Sequence, residues 1–94
     1  MIHRDRIDKI SQILEAANGG ASKSKIMFKA LLTSAQMKEI LTALTETDLI
    51  LYDENTRILR TTEKGLRFLQ IYNQIGDMIK EEQSSQQKQT WIHR

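Results

Sequence analysis

Ninety-four residues, 39% of them hydrophobic, suffice for one small domain with a modest core and perhaps an appended arm. No apolar run approaches the ~20 residues that cross a bilayer, the charged N-terminus MIHRDRIDKI does not read as a secretory signal, and the lack of cysteine excludes disulfides and thiolate chemistry. The formal net charge of +2 is too small to argue a nucleic-acid partner, so the distribution of charge matters more than its sum.

The first predicted element is an amphipathic helix from about Arg4 to Asn18. Ile7, Ile10, Ile13, Leu14 and Ala17 follow helical spacing, and Asn18-Gly19-Gly20 stops the helix because glycine reaches the left-handed conformation that closes a C-terminus. Arg4 and Arg6 sit unfavourably at the positive end of this helix dipole and read as surface charge. Residues 1–30 hold Arg4, Arg6, Lys9, Lys23, Lys25 and Lys29 against Asp5, Asp8 and Glu15, a local balance of +3. A solvated lysine-rich face is the ordinary meaning of such a cluster; a phosphate-binding face is the functional one.

Ala21 to Thr47 reads as two short helices joined by a tight turn. Ser22 is the expected N-cap of the first, whose apolar stripe is Ile26, Met27, Ala30 and Leu31. Leu31-Leu32-Thr33 is the connection, and Ser34 is the expected cap of the second helix. There Met37, Ile40, Leu41 and Leu44 fall at i, i+3, i+4 and i+7, with Leu41 expected at the centre of the packing. The opposite face carries Ala35, Gln36, Lys38, Glu39, Thr42, Thr45 and Glu46, several of them able to meet base edges. This is helix-turn-helix geometry, equally compatible with a plain helical hairpin in a small bundle.

Two β-prone runs follow, Asp48 to Tyr52 and Arg57 to Arg60, flanking the polar Asp53-Glu54-Asn55-Thr56. A hairpin with a three- or four-residue turn around Glu54-Asn55 is expected, closing the core with Leu49, Leu51 and Ile58. Behind a helix-turn-helix, such a hairpin is a wing. Arg57, with Asn55 beside it, is its best-placed phosphate contact, although Asp53 and Glu54 carry the wrong sign for that role.

Thr61-Thr62-Glu63-Lys64-Gly65 opens the last helix, capped by a threonine and running to about Gln87. Leu66 and Leu69 are expected on the domain core. Beyond them Phe68, Ile71, Ile75, Met78 and Glu82 repeat at coiled-coil spacing, and Tyr72 and Ile79 widen the stripe. An exposed stripe must be buried on something, and a second copy of the chain is the economical partner; folding back on its own domain is the alternative. Gly76 lies inside this helix, and the tail from Glu81 is polar, with Trp91-Ile92 its one apolar pair. The expected division is residues 1–66 as the DNA-binding domain, 67–88 as a dimerisation helix and 89–94 as a flexible tail.

Enzyme chemistry finds little support. Gly19-Gly20 lacks the context of a phosphate-binding loop, His3 and His93 stand at opposite termini, and Glu81-Glu82 is a solvated pair, so no catalytic residue, metal site or cofactor is expected.

ASKSKIMFKALLTSAQMKEILTALTETDLI followed by LYDENTRILRTTEKGLRFL resembles the small archaeal winged-helix DNA-binding proteins of the Sulfolobus 10a family. SKSKIMFKA, the polar-faced third helix, the acidic hairpin and TTEKG carry the resemblance, over about residues 5 to 80. It implies a mainly α winged helix-turn-helix with a small β-hairpin, and a long C-terminal helix pairing in an antiparallel coiled coil. It further implies a homodimer on double-stranded DNA, in the cytoplasm and associated with the nucleoid. The low net charge departs from the basic, chromatin-associated members and favours a transcription regulator. Lys23, Lys25, Lys29 and Arg57 are the expected phosphate contacts; Gln36, Lys38 and Thr42 face the major groove, with Ser34 and Asn55 beside them. The competing functions are an architectural chromatin protein and a winged-helix protein-interaction module that does not read DNA. The latter gains weight from a third helix with Lys38 as its only cation against Glu39 and Glu46.

Overall fold

In the computed structural model, which describes the backbone of residues 2–92 and the side chains of residues 6–79, three helices precede a hairpin and a fourth, long helix follows it. Helix α1 spans Ile2–Ala17, strand β1 Ala21–Ser22, α2 Lys23–Ala30, α3 Ser34–Glu46, β2 Ile50–Asp53, β3 Ile58–Thr61 and α4 Glu63–Ile92. The sheet order is β1-β3-β2, antiparallel throughout. Strand β1, two residues paired with Leu59 and Ile58, adds a third strand to the expected hairpin.

Local chemistry sets most boundaries. The chain leaves α1 through Gly19 and Gly20, both at positive φ, and the Gly20 amide donates to the Ala17 carbonyl at 2.9 Å. Ser22 caps α2 by accepting from the Lys25 amide at 3.2 Å. The cap of α3 is Thr33, not Ser34. Its hydroxyl accepts from the Gln36 amide at 3.1 Å, and the Gln36 side chain accepts from the Thr33 amide at 3.0 Å. This reciprocal capping box draws the helix start back one residue and leaves Ser34 exposed in the first turn. Leu31, expected on the apolar stripe of α2, instead closes that helix in the left-handed conformation and is 79% exposed.

The core is Ile13, Leu14 and Ala17 of α1, Ile26 and Ala30 of α2, Met37, Ile40 and Leu44 of α3, with Ile50, Leu59 and Leu69. Leu41 is only half-buried, at the edge of the α3 stripe; Met37 and Leu44 hold the centre assigned to it. The hairpin residues differ as well. Ile50 and Leu59 point inward, whereas Leu51 is exposed, and Leu49 and Ile58 are half-buried. The exit from α3 accounts for this. Asp48 adopts a left-handed φ of 65°, and the Leu49 amide donates back to the Leu44 carbonyl at 2.9 Å. That turn fixes the phase of β2, and a one-residue shift in phase exchanges the two faces of a strand. The hairpin loop is residues 54–57, with Asp53 opposite Ile58, a four-residue connection as expected.

Helix α4 starts at Thr62, whose hydroxyl accepts from the Gly65 amide at 3.1 Å and donates to the Asp48 carbonyl at 2.6 Å. Leu69 is buried and Phe68 half-buried against the core; Leu66, expected there, is exposed. The Tyr72 hydroxyl donates to the Asp8 carboxylate and ties α4 to α1. At 1.5 Å per residue the helix is roughly 45 Å long, and it ends at Ile92 rather than near Gln87. Ile71, Ile75, Met78 and Ile79 follow the tied segment and are exposed by 45–66%. The side chains of His3, Arg4, Glu82 and Trp91, and all of His93, lie outside the described residues. Among the described residues no helix is long and apolar enough to cross a membrane.

Candidate nucleic-acid interface

All nine candidate contact residues, Lys23, Lys25, Lys29, Ser34, Gln36, Lys38, Thr42, Asn55 and Arg57, are exposed. They do not form one cluster. Four of them converge on a trough between the first turn of α2, the outer side of α3 and the sheet. One concavity of about 420 Å³ is lined by Ser22, Lys23, Ser24, Leu41, Tyr52, Arg57 and Leu59. A second of about 260 Å³ continues it along α3, lined by Lys23, Lys38, Leu41, Thr42, Thr45 and Tyr52. Lys23, Leu41 and Tyr52 belong to both, so the two are one surface feature with an apolar floor and a rim of three cations.

Each rim residue is positioned by its element. Lys23 is the first residue of α2, directly after the Ser22 cap. Lys38 and Thr42 stand one turn apart on α3, where the Thr42 hydroxyl donates to the Lys38 carbonyl at 2.8 Å and keeps its lone pairs for a partner. Arg57 closes the hairpin loop at a left-handed φ of 58°, with its amide donating to the Asp53 carbonyl at 2.7 Å. The Asp53 carboxylate accepts from the Asn55 amide at 2.9 Å, so this acid is engaged in holding the loop.

The remaining cations have other surroundings. Lys29 borders a separate hollow with Gln12, Glu15 and Ala16 on the α1 side of α2. Lys9 donates to the Ala30 carbonyl at 2.7 Å, and Lys64 to the Thr47 carbonyl at 2.9 Å, each at a helix C-terminus where positive charge is favoured. Arg60 donates to the Gly19 carbonyl at 2.9 Å. Arg6 meets Glu39 at 4.0 Å in an exposed pair of little energetic weight. The basic cluster of residues 1–30 is thus dispersed over several faces. Gln36 spends its side-chain oxygen on the capping box. No group of three or more metal-binding side chains occurs among the described residues.

The winged helix-turn-helix family matches residues 3–80. The chain belongs to that family. Among solved structures this winged helix-turn-helix is similar to Sso10a-2, described as a DNA-binding protein from Sulfolobus solfataricus. The TM-score is 0.77 at 14% identity, with 94% of this chain and 95% of the other covered. The likeness is one of fold, and it extends over the long final helix as well as the domain. No curated protein matches the sequence.

In winged-helix terms α2 and α3 are the helix pair, and β2–β3 is the wing. Two residues of the trough were absent from the sequence-based candidates. Tyr52 lies opposite Leu59 in the wing and shares a sheet face with Ile50, yet it is 45% exposed because it stands beyond the edge of the core. Leu41 was assigned to the core and instead forms the facing half of the floor. The alternation of β2 would have paired Tyr52 with Ile50 had the phase of the strand been known.

Proposed function

We propose that this winged helix-turn-helix protein binds double-stranded DNA as a homodimer and acts in transcription regulation. The observation that carries the reading is the trough, where Lys23, Lys38 and Arg57 come from three different elements to border one concave surface beside α3. Cations brought together by tertiary structure supply the phosphate contacts that dominate affinity, and the exposed polar residues of α3 supply the groups that meet base edges. Ser34 and Thr42 remain on that face, while Asn55 and Arg57 of the wing meet the backbone. Lys25, on the exposed side of the first turn of α2, is a further phosphate contact. The likeness to a DNA-binding protein of the same fold supports the reading independently.

Dimerisation rests on α4. Ile71, Ile75, Met78 and Ile79 have no cover within the chain, and a stripe of that size on a projecting helix calls for a partner. Phe68 and Tyr72 already serve the chain's own domain, so the seam begins nearer Ile71. Antiparallel pairing, implied by the family resemblance, sets the two DNA-binding domains at opposite ends of the coil. The modest net charge favours a regulator over a chromatin coat.

Electrophoretic mobility shift on mixed-sequence duplex DNA over a salt series tests the reading. A dimer that neutralises on the order of 6 phosphates should give a log–log slope near −5. A wild-type protein that fails to bind at micromolar concentration and low salt would leave the protein-interaction module as the better account.

A further inference from the structure

We infer that the Tyr52–Leu41 floor of the trough is a seat for one sugar–phosphate strand of the DNA duplex, and that Tyr52 is a non-ionic backbone contact. The inference rests on the DNA-binding reading and adds to it the part of the nucleic acid that this surface takes. Three features point to a strand rather than to base edges. The floor is an aromatic ring facing an aliphatic side chain, which suits the apolar faces of deoxyribose. The rim holds Lys23, Lys38 and Arg57, spaced around that floor where successive phosphates of a strand would pass, and no carboxylate lines either concavity among the described residues. The trough runs between α3 and the wing, so a reading helix in a major groove and a wing on the neighbouring minor groove would have the intervening strand between them.

Tyr52 is otherwise unexplained. It stands on the inner face of the sheet with Ile50 and Leu59, both fully buried, but remains 45% exposed. Leu41 likewise falls on the apolar stripe of α3 but is only half-buried. Two apolar side chains left half-open toward each other under three cations form a complementary surface for a ligand that is apolar in the middle and anionic at its edges.

The test is the affinity of Tyr52→Thr and Tyr52→Phe, measured on several unrelated duplexes across a salt series. Threonine keeps strand propensity at an exposed position, and thermal melting verifies that each variant is folded. Tyr52→Thr should weaken binding about tenfold on every duplex, within the range for loss of an aromatic contact to nucleic acid. The salt slope should stay at the wild-type value because no charge is lost. Tyr52→Phe should retain affinity, since the ring face makes the contact. Unchanged affinity in folded Tyr52→Thr overturns the inference while leaving DNA binding intact, and so does a loss confined to particular sequences, which would make Tyr52 a base reader. Absence of binding by the wild type is the separate outcome that removes the underlying reading.

Discussion

Two glycines in α4 should respond in opposite directions to the same substitution. Gly65 is buried where the first turn of α4 crosses the wing, and a Cβ there would lie 2.4 Å from the Leu49 carbonyl oxygen and 2.6 Å from Thr61 Cγ2. Neither neighbour can easily retreat. The Leu49 carbonyl accepts from the Thr62 amide at 3.1 Å, and the Thr61 hydroxyl donates to the Leu14 carbonyl at 2.6 Å. Gly65→Ala must therefore shift α4 against the sheet. Forced overpacking costs about 1–3 kcal/mol, more than the ~1 kcal/mol that alanine returns in helix propensity. For a chain of this size each kcal/mol moves Tm by about 4–8 °C, so a fall of that order or more is expected. A Cβ at Gly76 meets nothing within 4 Å. Gly76→Ala should raise Tm by about 4–8 °C through propensity alone. Both melts, followed by far-ultraviolet circular dichroism, should be run at one protein concentration because association makes Tm concentration-dependent. A Gly65→Ala protein melting at or above the wild type would refute the packing of α4 on the hairpin.

Thr33→Ala should cost about 1 kcal/mol through loss of the capping box, while Ser34→Ala should be nearly neutral; urea unfolding that ranks them the other way would return the cap to Ser34. Leu44→Ala should cost about 2–5 kcal/mol, because Leu44 is fully enclosed, and half-buried Leu41→Ala clearly less; equal losses in thermal melts would contradict the placement of Leu41 in the trough. Ile75→Glu puts a charge into the proposed seam and should yield a monomer in sedimentation, with weaker DNA binding because two linked domains hold DNA better than one; an unchanged dimer would move the interface away from α4.

The elements were legible because their signals are local. Asn18-Gly19-Gly20, the Ser22 cap and Thr62 ahead of Gly65 act within a few residues of themselves, and each lies where the sequence puts it. The start of α3 was readable too: Thr33 has a glutamine three residues on and Ser34 has Met37, so only Thr33 can complete a capping box. Strand β1 was not readable. Ala21-Ser22 has no strand character, and its pairing with β3 is supplied by residues far along the chain. The phase of the wing depends on a left-handed Asp48, a conformation that residue identity does not announce. Spacing located the apolar face of α3 but not its width, and the width decides whether Leu41 belongs to the core or to the trough. The cations of the candidate site were visible individually. Which of them meet was settled by tertiary placement, which joins Lys23 to Lys38 and Arg57 and puts Lys29 beside Glu15.

The most direct test of the trough as a DNA-binding surface is the salt slope of duplex binding for Lys23→Ala, Lys38→Ala and Arg57→Ala, with Lys29→Ala as the control. Each trough variant, lost twice in a dimer, should reduce the magnitude of the slope by about 2, from about 5 in the wild type. Lys29→Ala should leave both slope and affinity unchanged. Trough variants with the wild-type slope, beside a Lys29→Ala protein that loses binding, would place the phosphate contacts on the α1 side of α2 and contradict the account.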